Sequence, residues 1–202
     1  MKKIDIIHKA VSKLKAGEVI ALPTETVYGL AVDATNLAAI SKLYTLKQRS
    51  FNKPLVIAVA HAQDVVPWVS AVSSDARLLM DAFWPGPLTI ILPRGKAVSD
   101  LITAGKSSIG LRYSSCVMLQ DILHQLGHAI CLTSANQSGT EEAMSAEKVR
   151  SEFPNELFIV EEDTIISGTP STIIDMAVMP YRILREGEIT LQQIQDVLGS
   201  NP

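Results

Sequence analysis

Cysteine is scarce in these 202 residues: Cys116 and Cys131 are the only two, and they form no C-x-x-C pair. A disulfide framework is thereby excluded, and a reduced, cytoplasmic setting is expected. No apolar run approaches the roughly 18–20 residues of a spanning helix, so no membrane association is expected. The start, Met1-Lys2-Lys3-Ile4-Asp5, is basic, but Asp5, His8 and Lys9 interrupt any apolar leader, and no signal peptide is expected. There is no G-x-G-x-x-G, which argues against a Rossmann dinucleotide site. Gly105-Lys106-Ser107 is like the end of a P-loop, but Asp100 stands where the motif needs its first Gly. No Ser-His-Asp order with a nucleophile elbow is visible. Asp121, His124 and His128 have helical spacing, but Gly127 should end the helix before His128, so no protein metal site is expected.

A composition 47% hydrophobic and 19% charged excludes disorder as the main state. The length suits one α/β domain spanning 1–202. Ile4, Ile7, Ala10, Val11 and Leu14 make an amphipathic helix that Gly17 can end. Val19–Leu22 is a first strand. The segment Pro23-Thr24-Glu25-Thr26-Val27-Tyr28-Gly29-Leu30 then puts two hydroxyls and a carboxylate at a strand end, where open α/β sheets bind ligands. Asn36 is an N-cap for the next helix, and Leu55–Val59 a buried strand. Ala62–Ser70 reads as a helix, and Ser74 as the cap of another. Trp84-Pro85-Gly86-Pro87 is a stiff turn before the strand Leu88–Leu92. Arg94–Ser108 reads as a long loop, and Ile109–Arg112 as a short strand ending in Arg.

Val117–Leu126 is helical. Ala129–Leu132 is a strand whose exit loop, Thr133–Gly139, gathers small polar groups of the kind that cradle phosphate or carboxylate; an ordinary polar loop has the same composition. Ser145 caps a helix through Phe153, Leu157–Val160 is a strand, and Glu161–Gly168 an acidic loop. Strands at Pro170–Asp175 and Tyr181–Arg185 precede a last helix with a Thr190/Gln193 capping box.

Charge is unevenly spread. Residues 1–53 hold nine Lys/Arg against four Asp/Glu, and residues 141–163 hold two against eight. That pattern suits a localised anion site better than a general nucleic-acid coat. The densest cationic stretch is Lys47-Gln48-Arg49-Ser50-Phe51-Asn52-Lys53, between a helix and a strand. Arg offers a planar fork for phosphate oxygens and Lys a compact charge, although cations also collect at helix C-termini to offset the dipole.

Together the blocks Pro23–Leu30, Leu46-Lys47-Gln48-Arg49, Trp84–Thr89, Thr133-Ser134-Ala135-Asn136-x-Ser138-Gly139, Pro170–Asp175 and Arg185-x-Gly187 resemble, in order, the YrdC-type L-threonylcarbamoyladenylate synthases, in their short bacterial form. The resemblance runs from about residue 5 to about residue 190. It implies one α/β domain with a twisted mixed sheet and flanking helices around a deep basic cavity. It implies a reaction in which L-threonine, bicarbonate and ATP give L-threonylcarbamoyl-AMP and pyrophosphate, with Mg²⁺ on the ATP oxygens, for the t6A modification of tRNA. Lys47, Arg49, Ser134 and Asn136 match the family's catalytic, phosphate-binding set. Lys53, Ser108 and Arg185 resemble further nucleotide contacts. Thr26, Arg112 and Ser171 resemble threonine contacts. The implied partners are the t6A transferase proteins TsaB, TsaD and TsaE. A competing reading, a module whose cavity holds tRNA or other RNA, rests on the basic first quarter, and the net charge of -3 weighs against it. Two positions depart from the pattern: Ser50 replaces a common Pro, and residues 56–60 lack a His that many longer members carry, so one threonine contact is expected to be missing.

Overall fold

The computed structural model describes residues 2–137, 139–154, 157–161 and 166–199. Ser138 and residues 162–165 of the acidic loop lie outside the described residues. Nine described strands form one mixed sheet: β1 (Ile20–Leu22), β2 (Gly29–Asp33), β3 (Val56–Ala58), β4 (Leu88–Pro93), β5 (Ser108–Arg112), β6 (Ile130–Ser134), β7 (Phe158–Ile159), β8 (Thr172–Asp175) and β9 (Arg182–Arg185). Their order is β7-β1-β2-β6-β3-β5-β4-β8-β9. The β1/β7, β3/β5 and β4/β8 pairs are parallel and the others antiparallel.

Alternation along the strands divides the apolar residues between two faces. On one face Ala21, Leu30, Val32, Ile57, Cys131, Ile90 and Leu111 pack with Ile40, Leu43 and Tyr44 of α2 (Leu37–Leu46) and Leu79 of α3 (Ser74–Phe83). On the other face Ile20, Leu22, Ala31, Ala58, Ile130 and Leu132 pack under α1 (Lys3–Lys15) and α5 (Val117–Leu126). That second cover stops at β3. Beyond it the same face carries Gly110 and Arg112 of β5 and Thr89 and Ile91 of β4, and there a cavity opens.

Helix ends follow their capping residues. Asn36 Oδ1 accepts from the Ala39 N–H at 3.0 Å, as its position predicts. At α3 the cap is Ser73, which accepts from the Ala76 N–H; Ser74, the expected cap, is one residue inside. Adjacent serines make that boundary ambiguous in sequence. The helix expected over Ala62–Ser70 is a 3₁₀ helix, Ala62–Trp68, with Pro67 near its end. The expected loop 94–108 holds a single helical turn, α4 (Asp100–Thr103), capped by Ser99, and its last residue already belongs to β5. One turn is too short to show a period. β6 runs through Ser134, two residues past the expected end, because Thr133 and Ser134 pair with Leu30 and Gly29. Remaining helices are α6 (Ala146–Glu152), capped by Ser145, and α7 (Leu191–Leu198), capped by Thr190.

Candidate active site

Alternation puts Leu132, Val56, Gly110 and Ile91 in one cross-strand row on the uncovered face, and this row floors a cavity of about 380 Å³. The site therefore lies over the sheet face and not simply at strand ends. Its walls come from the segments that follow β1, α2 and β6 and from the one that precedes β8.

The β1 exit is held by its own hydroxyls. Thr24 Oγ1 donates to Val27 O at 2.6 Å, so its 2.9 Å contact with Thr26 Oγ1 is one it accepts. Arg112 Nη2 donates to the same Thr26 oxygen at 3.0 Å and pairs with Glu25 Oε1 at 3.0 Å. Glu25 also accepts from the Ser114 hydroxyl and from the Ser115 N–H. Burial alone would raise the Glu25 pKa, but Arg112 and Ser114 outweigh it and leave the carboxyl below its usual range. Arg112 is 6% exposed, and its Nε has no hydrogen-bond partner among the described residues. A buried donor beside a cavity is suited to an incoming acceptor, since leaving it unpaired costs about 1–3 kcal/mol.

The cationic stretch is shaped by the end of α2. Gln48 N–H bonds Thr45 O and Arg49 N–H bonds Tyr44 O, which is a Schellman closure with Gln48 at φ 49° where glycine is usual. This closure sends Lys47 and Arg49 in different directions. Arg49 lies along the cavity wall, with Nη2 on Pro54 O at 2.8 Å and Nε on Lys53 O at 3.2 Å. Lys47 turns inward, 2% exposed, and its Nζ donates to Asn136 O at 2.7 Å, Asn136 Oδ1 at 2.8 Å and Ser134 O. Burial, then the nearby Arg49 charge, pushes its pKa down to about 8. Ser134 Oγ donates to Asn136 Oδ1 at 2.6 Å, so Lys47, Ser134 and Asn136 form one cluster.

On the far wall Ser171 Oγ lies 3.0 Å from Thr89 Oγ1 and accepts from Arg185 Nη2 at 3.2 Å. The β9 exit passes so close to Pro170 that a Cβ on Gly187 would stand 2.0 Å from its carbonyl oxygen, so a side chain is excluded there.

Seven of the ten expected site residues line the cavity: Thr26, Arg49, Lys53, Arg112, Ser134, Ser171 and Arg185. Lys47 and Asn136 stand behind Ser134 and fix its loop. Ser108 shares the face of Gly110 and Arg112 but lies outside the lining. Two charged residues outside the expected set also line it. Lys106 reaches the cavity after two left-handed residues, Ala104 (φ 56°) and Gly105 (φ 74°), in the stretch that fails as a P-loop. Glu142 belongs to a segment whose acidic composition reads as solvated surface. Asp121 is paired with Lys3 and His128 with Asp33, so the trio of helical spacing is taken apart. Among the described residues no group of three or more His, Cys, Asp or Glu is placed to hold a metal.

A mixed sheet with one face left partly uncovered, and guanidinium, ammonium and hydroxyl groups around the opening, defines an α/β protein with a cavity suited to small anionic ligands. Its family is established by comparison: the chain belongs to the Sua5/YciO/YrdC family, whose model, described as "Telomere recombination", matches residues 12–187. It is 39% identical over 174 residues to a threonylcarbamoyl-AMP synthase of Idiomarina loihiensis, covering 85% of this chain and 93% of that one. It is 34% identical to the protein of the same name from Photobacterium profundum, covering 91% and 100%. A structure of Pyrococcus abyssi Sua5 complexed with L-threonine superposes with a TM-score of 0.92 at 31% identity, covering 98% of this chain and 58% of that one.

Proposed function

We propose that this protein is a threonylcarbamoyl-AMP synthase that joins L-threonine, bicarbonate and ATP into L-threonylcarbamoyl-AMP and releases pyrophosphate. One observation carries the reading. A single cavity is lined both by residues that resemble the family's threonine contacts (Arg112, Thr26, Ser171) and by residues that resemble its phosphate contacts (Arg49, Lys53, Ser134, Arg185). Threonine's amine and bicarbonate form an N-carboxylate, which attacks the α-phosphate. Two anions must meet, so fixed cations aimed at the developing charge supply most of the acceleration. Lys47 acts through Ser134 and Asn136 by fixing their loop against the triphosphate. Arg112 offers its unpaired Nε edge to the threonine carboxylate. Mg²⁺ enters on the ATP oxygens, in keeping with a cavity lined by five cationic side chains and one carboxylate.

The same reading makes 1–202 one domain, supported by the single sheet that joins all nine described strands. It puts the enzyme in the cytoplasm and its labile product with TsaB, TsaD and TsaE for t6A formation on tRNA. No helix among the described residues is long and apolar enough to cross a membrane. Direct tRNA or RNA binding finds less support, because Lys3 and Lys13 of α1 are ion-paired with Asp121 and Glu18. Pyrophosphate release that requires threonine and bicarbonate together is the expected result. Release from ATP alone, or no release, would overturn the reading.

A further inference from the structure

Glu142 is the one carboxylate among the described cavity-lining residues; the other charged groups that line the cavity are Arg49, Lys53, Lys106, Arg112 and Arg185. It is no solvated surface acid, since its side chain is 25% exposed. Its backbone is held on both sides. Thr140 O accepts from Asn136 Nδ2 at 2.5 Å, and Ala143 O accepts from the Tyr28 N–H at 2.8 Å. Asn136 is the residue that receives Lys47, and Arg185, which faces Glu142, donates to Ser171. Glu142 thus sits on a segment tied to Asn136 and to Tyr28, with its carboxylate beside Arg185 in the same cavity. Its Oε1 lies 3.7 Å from Arg185 Nη1, beyond hydrogen-bond reach, so the carboxylate is not committed to that partner.

A negative charge in this cavity opposes the binding of triphosphate, bicarbonate and the threonine carboxylate alike. The exception among the substrate groups is threonine's α-ammonium, which must also lose a proton before its nitrogen can react. Resting on the synthase reading above, we propose that Glu142 receives the α-ammonium of L-threonine and accepts its proton. The N–H bond breaks and a carboxyl O–H forms, which leaves a lone pair on nitrogen. That nitrogen bonds to the bicarbonate carbon, the C–OH bond breaks, and the departing hydroxide takes the second amine proton as water. The resulting N-carboxylate oxygen bonds to the α-phosphorus while the bond to pyrophosphate breaks. The proton on Glu142 returns to solvent when product leaves.

The test uses the full chain with Glu142→Gln and Glu142→Asp, each checked for an unchanged unfolding temperature. Calorimetry measures L-threonine and a non-hydrolysable Mg·ATP analogue separately, and initial rates are taken at saturating threonine. Glu142→Gln should weaken threonine at least about tenfold and tighten the nucleotide a few-fold, about two to five. It should lower kcat at least about a hundredfold, the usual size of a lost proton acceptor. Glu142→Asp should recover part of both threonine affinity and rate. Opposite signs for the two ligands separate this role from a merely structural one, which weakens both. Unchanged threonine affinity overturns the proposal, as does equal weakening of both ligands. Weakening of the Mg·nucleotide alone also overturns it and gives the carboxylate to the metal. A wild type that binds threonine but forms no acyl-adenylate refutes the synthase reading and leaves the ammonium site standing. A wild type that turns over while Glu142→Gln matches it refutes this proposal alone.

Discussion

Removing the Glu25 carboxylate strands a buried guanidinium. In the intact protein Arg112 Nη2 is shared between Glu25 Oε1 and Thr26 Oγ1, each at 3.0 Å, and Nε is already without a partner. Glu25→Ala leaves one contact on a side chain only 7% exposed. Breaking one side of a buried pair costs about 3–5 kcal/mol, because the remaining charge stays desolvated. In a chain of this length each kcal/mol moves Tm by about 2–4 °C, so a fall of about 6–20 °C follows. Arg112→Met is milder, because Glu25 keeps the Ser114 hydroxyl and the Ser115 N–H and is itself 15% exposed. The double variant removes both charges together and should cost at least about 2 kcal/mol less than the sum of the singles. Urea unfolding of the four proteins, with unchanged slopes, closes the cycle. The Glu25 pKa is depressed, so its stabilisation is complete above the usual 4.5 and is lost as pH falls through the lower native value. A coupling under about 0.5 kcal/mol would refute the claim that this pair is one buried unit.

Gln48→Gly should stabilise the fold by about 0.5–1 kcal/mol in urea, because glycine carries no penalty at φ 49°. No gain, or a loss, would show that the end of α2 is held otherwise. Lys47, with its pKa pushed down to about 8, should lose its native charge as pH rises past that value. The unfolded chain holds this proton up to the usual 10.5, so the Lys47 contribution to stability should rise between those two pH values while synthase activity falls. A rate flat to pH 10 would contradict a role for the ammonium form. Lys47→Ala and Arg49→Ala, if folded by circular dichroism, should each lower pyrophosphate release at least about a hundredfold; full rate in both would remove them from the mechanism.

Most of the fold is legible where one local rule acts alone. Asn36, Ser145 and Thr190 mark helix starts because a side-chain oxygen at that position satisfies an orphan N–H. Gly127, at φ 84°, marks an end for the converse reason. Misses occur where two residues offer the same chemistry, as with Ser73 and Ser74, or where an element is one turn long, as with α4. Cations and hydroxyls of the site are visible in the sequence, but their grouping is not. Lys47 and Arg49 look equivalent, and only the left-handed Gln48 between them sends one behind Ser134 and the other along the wall. The partnership of Glu25 with Arg112 spans 87 residues and depends on which strands become neighbours. Placement of the site over a sheet face was obscured because strand ends are the commoner location in open α/β sheets. Gly110, Thr89 and Ile91 mark that face only once the register of β4 and β5 is known.

The most direct measurement is mass detection after incubating the protein with Mg·ATP, L-threonine and ¹³C-labelled bicarbonate. The expected product is an acyl-adenylate that contains threonine and AMP and carries a single heavy carbon from the bicarbonate. AMP or ADP without that adduct, or an adduct lacking the labelled carbon, would contradict the synthase reading.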